Sequence, residues 1–194
     1  MFFAILLLAH FQAVLIPIIL GIKSFNEFKH ISKNIFISLG FIFLGLASLS
    51  EMIDHTQTSW IYVNHSSVFN WLFYSFLSLG LTCLSVSVIK NKFFQKTNFC
   101  ISFCSIISYF LFDKTITLIF QGIISFFLII NWQRFFKDWL LILYPIFGII
   151  FTTFFGRNLS ISGDQFWHIF IGPSGTISVL VFYFVLKRSG KKIT

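Results

Sequence analysis

Apolar residues fill most of the chain in long blocks, broken by short polar stretches. A helix needs roughly 20 apolar residues, about 17–25, to cross the hydrocarbon core of a bilayer. Seven blocks meet that demand or approach it: 2–22, 34–53, 66–89, 98–112, 115–131, 139–156 and 164–186. The pattern predicts an all-α integral membrane bundle of seven transmembrane helices. The fourth block is short, and its helix can start near Phe93 if Lys96 snorkels to the interface. Pro17, Pro145 and Pro173 fall inside the first, sixth and seventh blocks, where membrane helices tolerate them. The breaks are too short to hold a second domain, so residues 1–194 are expected to form a single domain.

Composition agrees with the pattern. Of 194 residues, 57% are hydrophobic and only 10% are charged, against about 25% charged in an ordinary soluble domain. The opening run, 1–22, has no basic leader and no small-residue cleavage pattern, so it reads as the first span and not as a removable signal. Cys83, Cys100 and Cys104 all lie inside apolar runs and read as small buried hydrophobes.

Charge adds a direction. Lys23, Lys29, Lys33, Lys90, Lys92, Lys96, Arg134, Lys137, Lys187, Arg188, Lys191 and Lys192 fall on one side of the predicted membrane. Lys114 and Arg157 fall on the other. Basic residues concentrate on the cytoplasmic side. The N-terminus is therefore expected outside and the C-terminus in the cytoplasm. The net charge of +8 sits at helix flanks, not on one basic face, so nucleic acid is not an expected partner. Membrane lipids are; the sequence does not name a protein partner. The amphipathic segment 132–139 carries Arg134 and Lys137 among aromatics and reads as an interfacial belt.

Against this background six side chains stand out: Glu51, Asp54, His55, His65, Asp164 and His168. All are placed at helix ends on the predicted outer side. Ionisable groups there are costly, and their default reading is a functional site. Glu51 and His55 are four residues apart, as are Asp164 and His168, so each pair shares a helix face. Such a pair offers two metal ligands from one helix. Carboxylates and imidazoles together suit zinc or another first-row divalent ion. The simpler reading is solvation at the interface, with Asp164 capping its helix. His10 reads as a helix–helix hydrogen bonder or as an outlying member of the site.

The stretch Asp164-Gln165-Phe166-Trp167-His168-Ile169-Phe170-Ile171-Gly172 resembles the last helix of the alkaline ceramidases. These belong to the CREST superfamily of seven-span metal hydrolases and carry H-x-x-W-H-I-x-x-G there. The end of the second span, Ser48-Leu49-Ser50-Glu51-Met52-Ile53-Asp54-His55, is similar to the family's S-x-x-x-H. Asp164 stands where the family has a histidine, and Ser50 is four residues before Asp54, not His55. The family's aspartate in the third span has no counterpart; Asn64 and His65 lie near its place.

The resemblance implies a zinc-dependent hydrolase of a lipid amide or ester. In that reading His55, His65, Asp164 and His168 hold the metal. Glu51 or Asp54 moves the proton, and Ser50 donates to the oxyanion. The substrate is a lipid arriving through the bilayer.

Other classes are weighed by what they require. A retinal protein needs a lysine within the last span, and none precedes Lys187. A haem protein would use facing histidines, but the neighbouring carboxylates favour a harder metal. A solute or metal carrier needs polar groups continuing across the membrane, whereas here they stop near the outer edge. A structural subunit of a membrane complex, keeping a polar site, is the non-enzymatic alternative.

Overall fold

Inside a bilayer the backbone has no water to bond, so each apolar run must satisfy its own amides as a helix. In the computed structural model the described residues are 2–29, 31, 33–57, 67–112, 114–143 and 164–190, with the side chains of 2, 3, 6, 114, 164–171 and 190 excepted. The helices are α1 (Phe2–Glu27), α2 (Asn34–Gln57), α3 (Val68–Val88), α4 (Lys92–Leu111), α5 (Lys114–Phe136) and α6 (Asp164–Gly190). Helix α6 is the seventh span of the sequence reading. The sixth is represented by a helical turn at 140–143 and otherwise lies outside the described residues. Among the described residues, four helices are long and apolar enough to cross a membrane: Leu7–Glu27, Asn34–Gln57, Val68–Val88 and Thr115–Phe136.

The helices run past the ends of the apolar blocks, and the reasons are local. Helix α1 continues to Glu27, which pairs with Lys23 one turn back at 3.5 Å and accepts from the Tyr183 hydroxyl. Helix α2 continues to Gln57 because Asp54 and His55 are buried in the bundle. Helix α4 starts well before residue 98: the Asn91 side chain caps it, accepting from the Phe93 amide at 2.8 Å. Ser67 caps α3, accepting from the Asn70 amide at 2.9 Å.

Polarity is inverted relative to a soluble protein. Leu8, Phe103, Phe110, Ile119 and Phe126 face outward, whereas Ser38, Ser78, Thr82, Ser105 and Thr117 are buried. Lipid tails are as apolar as leucine, so burying apolar side chains gains little there. Close backbone approach and interhelical hydrogen bonds hold the bundle instead. Gly40 and Gly80 let α2 and α3 nearly touch. A Cβ on either would meet the other's carbonyl oxygen at about 3 Å, with Leu84 or Leu44 also crowding it.

Helix α2 lies between α1 and α3, α3 also packs on α4 and α5, and α6 closes against α1. The largest apolar cluster gathers Phe28, Ile37, Phe41, Leu84, Trp132 and Leu186 towards the basic end.

Two expectations change here. Segment 132–139 does not behave as one interfacial belt. Trp139 is 70% exposed, but Trp132 is fully buried and donates its indole N–H to the Leu84 carbonyl at 2.6 Å. Of the cysteines only Cys83 is buried. Cys100 and Cys104, one turn apart, lie on the exposed face of α4, where lipid is as compatible with a thiol as a core is.

Candidate metal centre

Small residues set the register that builds the site. Gly21 lies against Ser38 and Ile42, and Gly45 against Val14 and Ile18. This antiparallel register of α1 and α2 carries His10 to the level of Glu51. The helical repeat then adds His55, one turn beyond Glu51 on the same face.

His10 Nε2 lies 3.9 Å from Glu51 Oε2, and His55 Nε2 lies 3.8 Å from Glu51 Oε1. The two imidazoles meet edge to face, with centroids 5.7 Å apart. One donor atom from each of the three residues falls within 4.8 Å of the others. Both histidines are buried, and Glu51 is partly so.

The donor set fits a divalent ion. Zinc sits about 2.0–2.1 Å from nitrogen and 2.0–2.2 Å from oxygen, which puts tetrahedral ligands about 3.3 Å apart. The two N···O separations exceed that by about half an ångström, within reach of small side-chain rotations. Two histidines and a glutamate are also a known catalytic zinc set, leaving one position open.

Asp54 turns away from this group, as its position about 100° around the helix from His55 requires. It is buried, and its Oδ1 accepts from the Ser67 hydroxyl at the head of α3. Its Oδ2 has no hydrogen-bond partner among the described residues. Ser50 is buried and donates to the Leu46 carbonyl in its own helix at 2.9 Å.

His65 lies outside the described residues. Asp164 and His168 occupy the first two turns of α6, and their side chains lie outside the described residues. The backbone there is informative. Gly172 packs so tightly on α1 that an added Cβ would fall 2.3 Å from the Ala9 carbonyl oxygen and 3.4 Å from the His10 amide nitrogen. Residue 168 is one turn earlier in the same helix, on the same face.

Glu51 and His55 are therefore brought together, and the third partner is His10. The sequence did hold a signal for it: a lone histidine deep in an apolar helix. Matching it to Glu51 needed the α1–α2 register, which apolar periodicity does not give.

A family model for seven transmembrane receptors matches residues 1–192. The chain belongs to the seven transmembrane receptor family. It is an integral, multi-pass, all-α membrane protein, and the family supplies the seven-span plan that the described helices follow in part. No curated protein and no solved structure matches the chain. Membership in the seven transmembrane receptor family does not carry a ceramidase identity with it, so that resemblance rests on its motif residues.

Proposed function

We propose that the protein is a metal-dependent membrane hydrolase of a lipid amide or ester, with a divalent first-row ion, zinc foremost, held by His10, Glu51 and His55. The convergence of those three donors within 4.8 Å carries the reading. Carboxylates and imidazoles this close at the end of a membrane bundle are costly unless an ion compensates them.

A divalent ion supplies two things to hydrolysis: a water of lowered pKa and polarisation of the carbonyl under attack. The chain's own groups would do the rest. Glu51 holds one carboxylate oxygen towards each histidine. Glu51 or Asp54 would move the proton; Asp54 is buried with one oxygen unpartnered among the described residues, and would have to turn back towards the histidines to do so. His168, one turn from the Gly172–Ala9 contact, is the proposed fourth ligand; Asp164 and His65 remain candidates from the sequence. Ser50 would have to leave the Leu46 carbonyl to donate to an oxyanion. The substrate enters from the lipid, and the site opens to the non-cytoplasmic side. Residues 1–194 act as one domain.

The family description favours a second reading, a receptor whose polar site binds without catalysis. Elemental analysis of the purified protein, with His55→Ala alongside, separates these readings from a merely packed cluster. About one equivalent of metal in the wild type, and less than a tenth of that in the variant, is expected. Metal-free wild-type protein would sink the proposal. Metal without turnover of a ceramide-type amide or a lipid ester selects the receptor.

A further inference from the structure

At the end of the bundle opposite the metal centre, the last turns of α6 meet α1 and the residues that follow α5. The Tyr183 hydroxyl donates to Glu27 Oε2, and Lys23, one turn before Glu27, lies 3.5 Å from its other carboxylate oxygen. Arg188 donates to Asp138 Oδ2, just beyond α5. Each carboxylate therefore has a cation of its own. Lys187 stands outside this pairing: it is exposed and makes no hydrogen bond or ion pair among the described residues. Lys23, Lys187 and Arg188 against Glu27 and Asp138 leave the corner with positive charge in excess, and Lys191 and Lys192 follow in the sequence.

The surplus charge borders an open cavity of about 520 Å³, lined by Tyr183, Phe184, Lys187 and Arg188. Ligand pockets commonly hold about 300–1,000 Å³. The Arg188 guanidinium lies over the Phe184 ring, 5.8 Å from its centroid, which holds the planar group at the cavity wall. A guanidinium has five N–H donors. The contact with Asp138 uses the Nη2 group, so donors remain for a second anion. Phosphate suits an arginine fork beside a lysine point charge.

Below the cavity α6 presents an apolar stripe to lipid. Ile177, Leu180 and Phe184 are 52%, 43% and 53% exposed. Their spacing of three and four residues puts them on one face, which ends at Lys187 and Arg188. From residue 177 to residue 187 is about 15 Å of helix, half of the roughly 30 Å hydrocarbon core. A cationic, aromatic cavity at headgroup level thus continues into an apolar strip one leaflet long. That combination fits a molecule with an anionic head and a hydrocarbon tail. An acidic protein segment would match the charge and leave the strip unused.

We infer that this corner binds one anionic phospholipid, its phosphate at Lys187 and Arg188 and an acyl chain along Phe184, Leu180 and Ile177. Basic pockets at the ends of membrane helices recognise such headgroups. General attraction of a basic flank to an anionic surface needs neither the cavity nor the stripe. The site is separate from the metal centre and stands or falls without it.

The test is native mass spectrometry of the purified full-length protein in micelles carrying equal amounts of phosphatidylglycerol and phosphatidylcholine. Wild-type protein should retain one phosphatidylglycerol, at least fivefold more often than phosphatidylcholine. A lysine near an anionic lipid surface contributes roughly fivefold in affinity. Lys187→Gln should therefore cut the retained phosphatidylglycerol about fivefold, and Lys187→Glu at least tenfold, while Lys187→Arg keeps it. Lys90→Gln with Lys92→Gln removes two exposed charges from the same end of the bundle and should also keep it. Equal retention of the two lipids by wild type, or retention of neither, overturns the inference. So does unchanged retention in folded Lys187→Gln. An equal loss in the Lys90, Lys92 double variant overturns it too, since binding would then be a diffuse property of the basic flank. If Lys187→Glu fails to fold, Lys187→Gln decides alone by the same reading.

Discussion

At the scale of single residues, the molecule depends on places where a side chain is missing. Gly172 is the clearest. Its Cα lies so near α1 that a methyl group would meet backbone, not a movable side chain, at 2.3 Å. Gly172→Ala must therefore push α6 from α1, and overpacking of this kind costs about 1–3 kcal/mol. A lower midpoint in detergent-solubilised thermal unfolding checks it; an unchanged midpoint would mean the two helices are not in contact at Ala9. A second prediction concerns charge. Glu51→Gln keeps the size of the side chain but removes the anionic ligand. Bound metal should fall at least tenfold, measured by elemental analysis at a fixed metal concentration, while the protein stays folded. Glu51 and His55 were legible in the sequence because helical spacing alone makes them neighbours. His10 was legible only as an oddity, since its partners come from another helix.

Individual helices show where pattern reading works and where it stops. Apolar length located α1, α2, α3 and α5 within a few residues, because lipid demands length above all. For α4 the apolar block 98–112 starts late, but the alternative start near Phe93, with Lys96 at the interface, agrees with the helix, which begins at Lys92. Here the deciding signal was chemical, the Asn91 cap. The expectation that polar groups stop near the outer edge fails between α3, α4 and α5, where the pairs Ser108–Thr117, Ser78–Ser105 and Ser85–Asn98 lie inside the bundle. Serines, threonines and amides barely register in hydropathy. Trp132 makes the same point, since aromatic content suggested an interface and the indole N–H instead binds the Leu84 carbonyl. Trp132→Phe removes the hydrogen bond that ties α5 to α3, although Ser87 still donates to the same carbonyl at 2.6 Å. We expect a loss of about 0.5–1.5 kcal/mol, read as a lower thermal midpoint in detergent.

For the whole molecule the untested quantity is its direction in the membrane. Twelve of the 14 lysines and arginines fall on one side of the seven-span plan, and the positive-inside bias predicts that this side is cytoplasmic. In a background with Cys83, Cys100 and Cys104 replaced by alanine, single cysteines at Thr58 and Lys191 should react oppositely with an impermeant maleimide applied to intact cells. Labelling at Thr58 and protection at Lys191 is expected; the reverse would turn the metal centre towards the cytoplasm.

The contact between the first and last helices has a consequence for biosynthesis. Helices α1 to α5 each pack on near neighbours in sequence, so those contacts can form as the chain emerges. Ala9 and Gly172 cannot meet until almost the entire chain exists. At about 5–20 residues per second, translation of the intervening stretch takes about 8–33 s. For the later part of that interval, once α2 has been made, His10 has Glu51 and His55 within reach. The flank later covered by α6 still faces lipid, so the centre is assembled in two strokes, and the second waits for the ribosome.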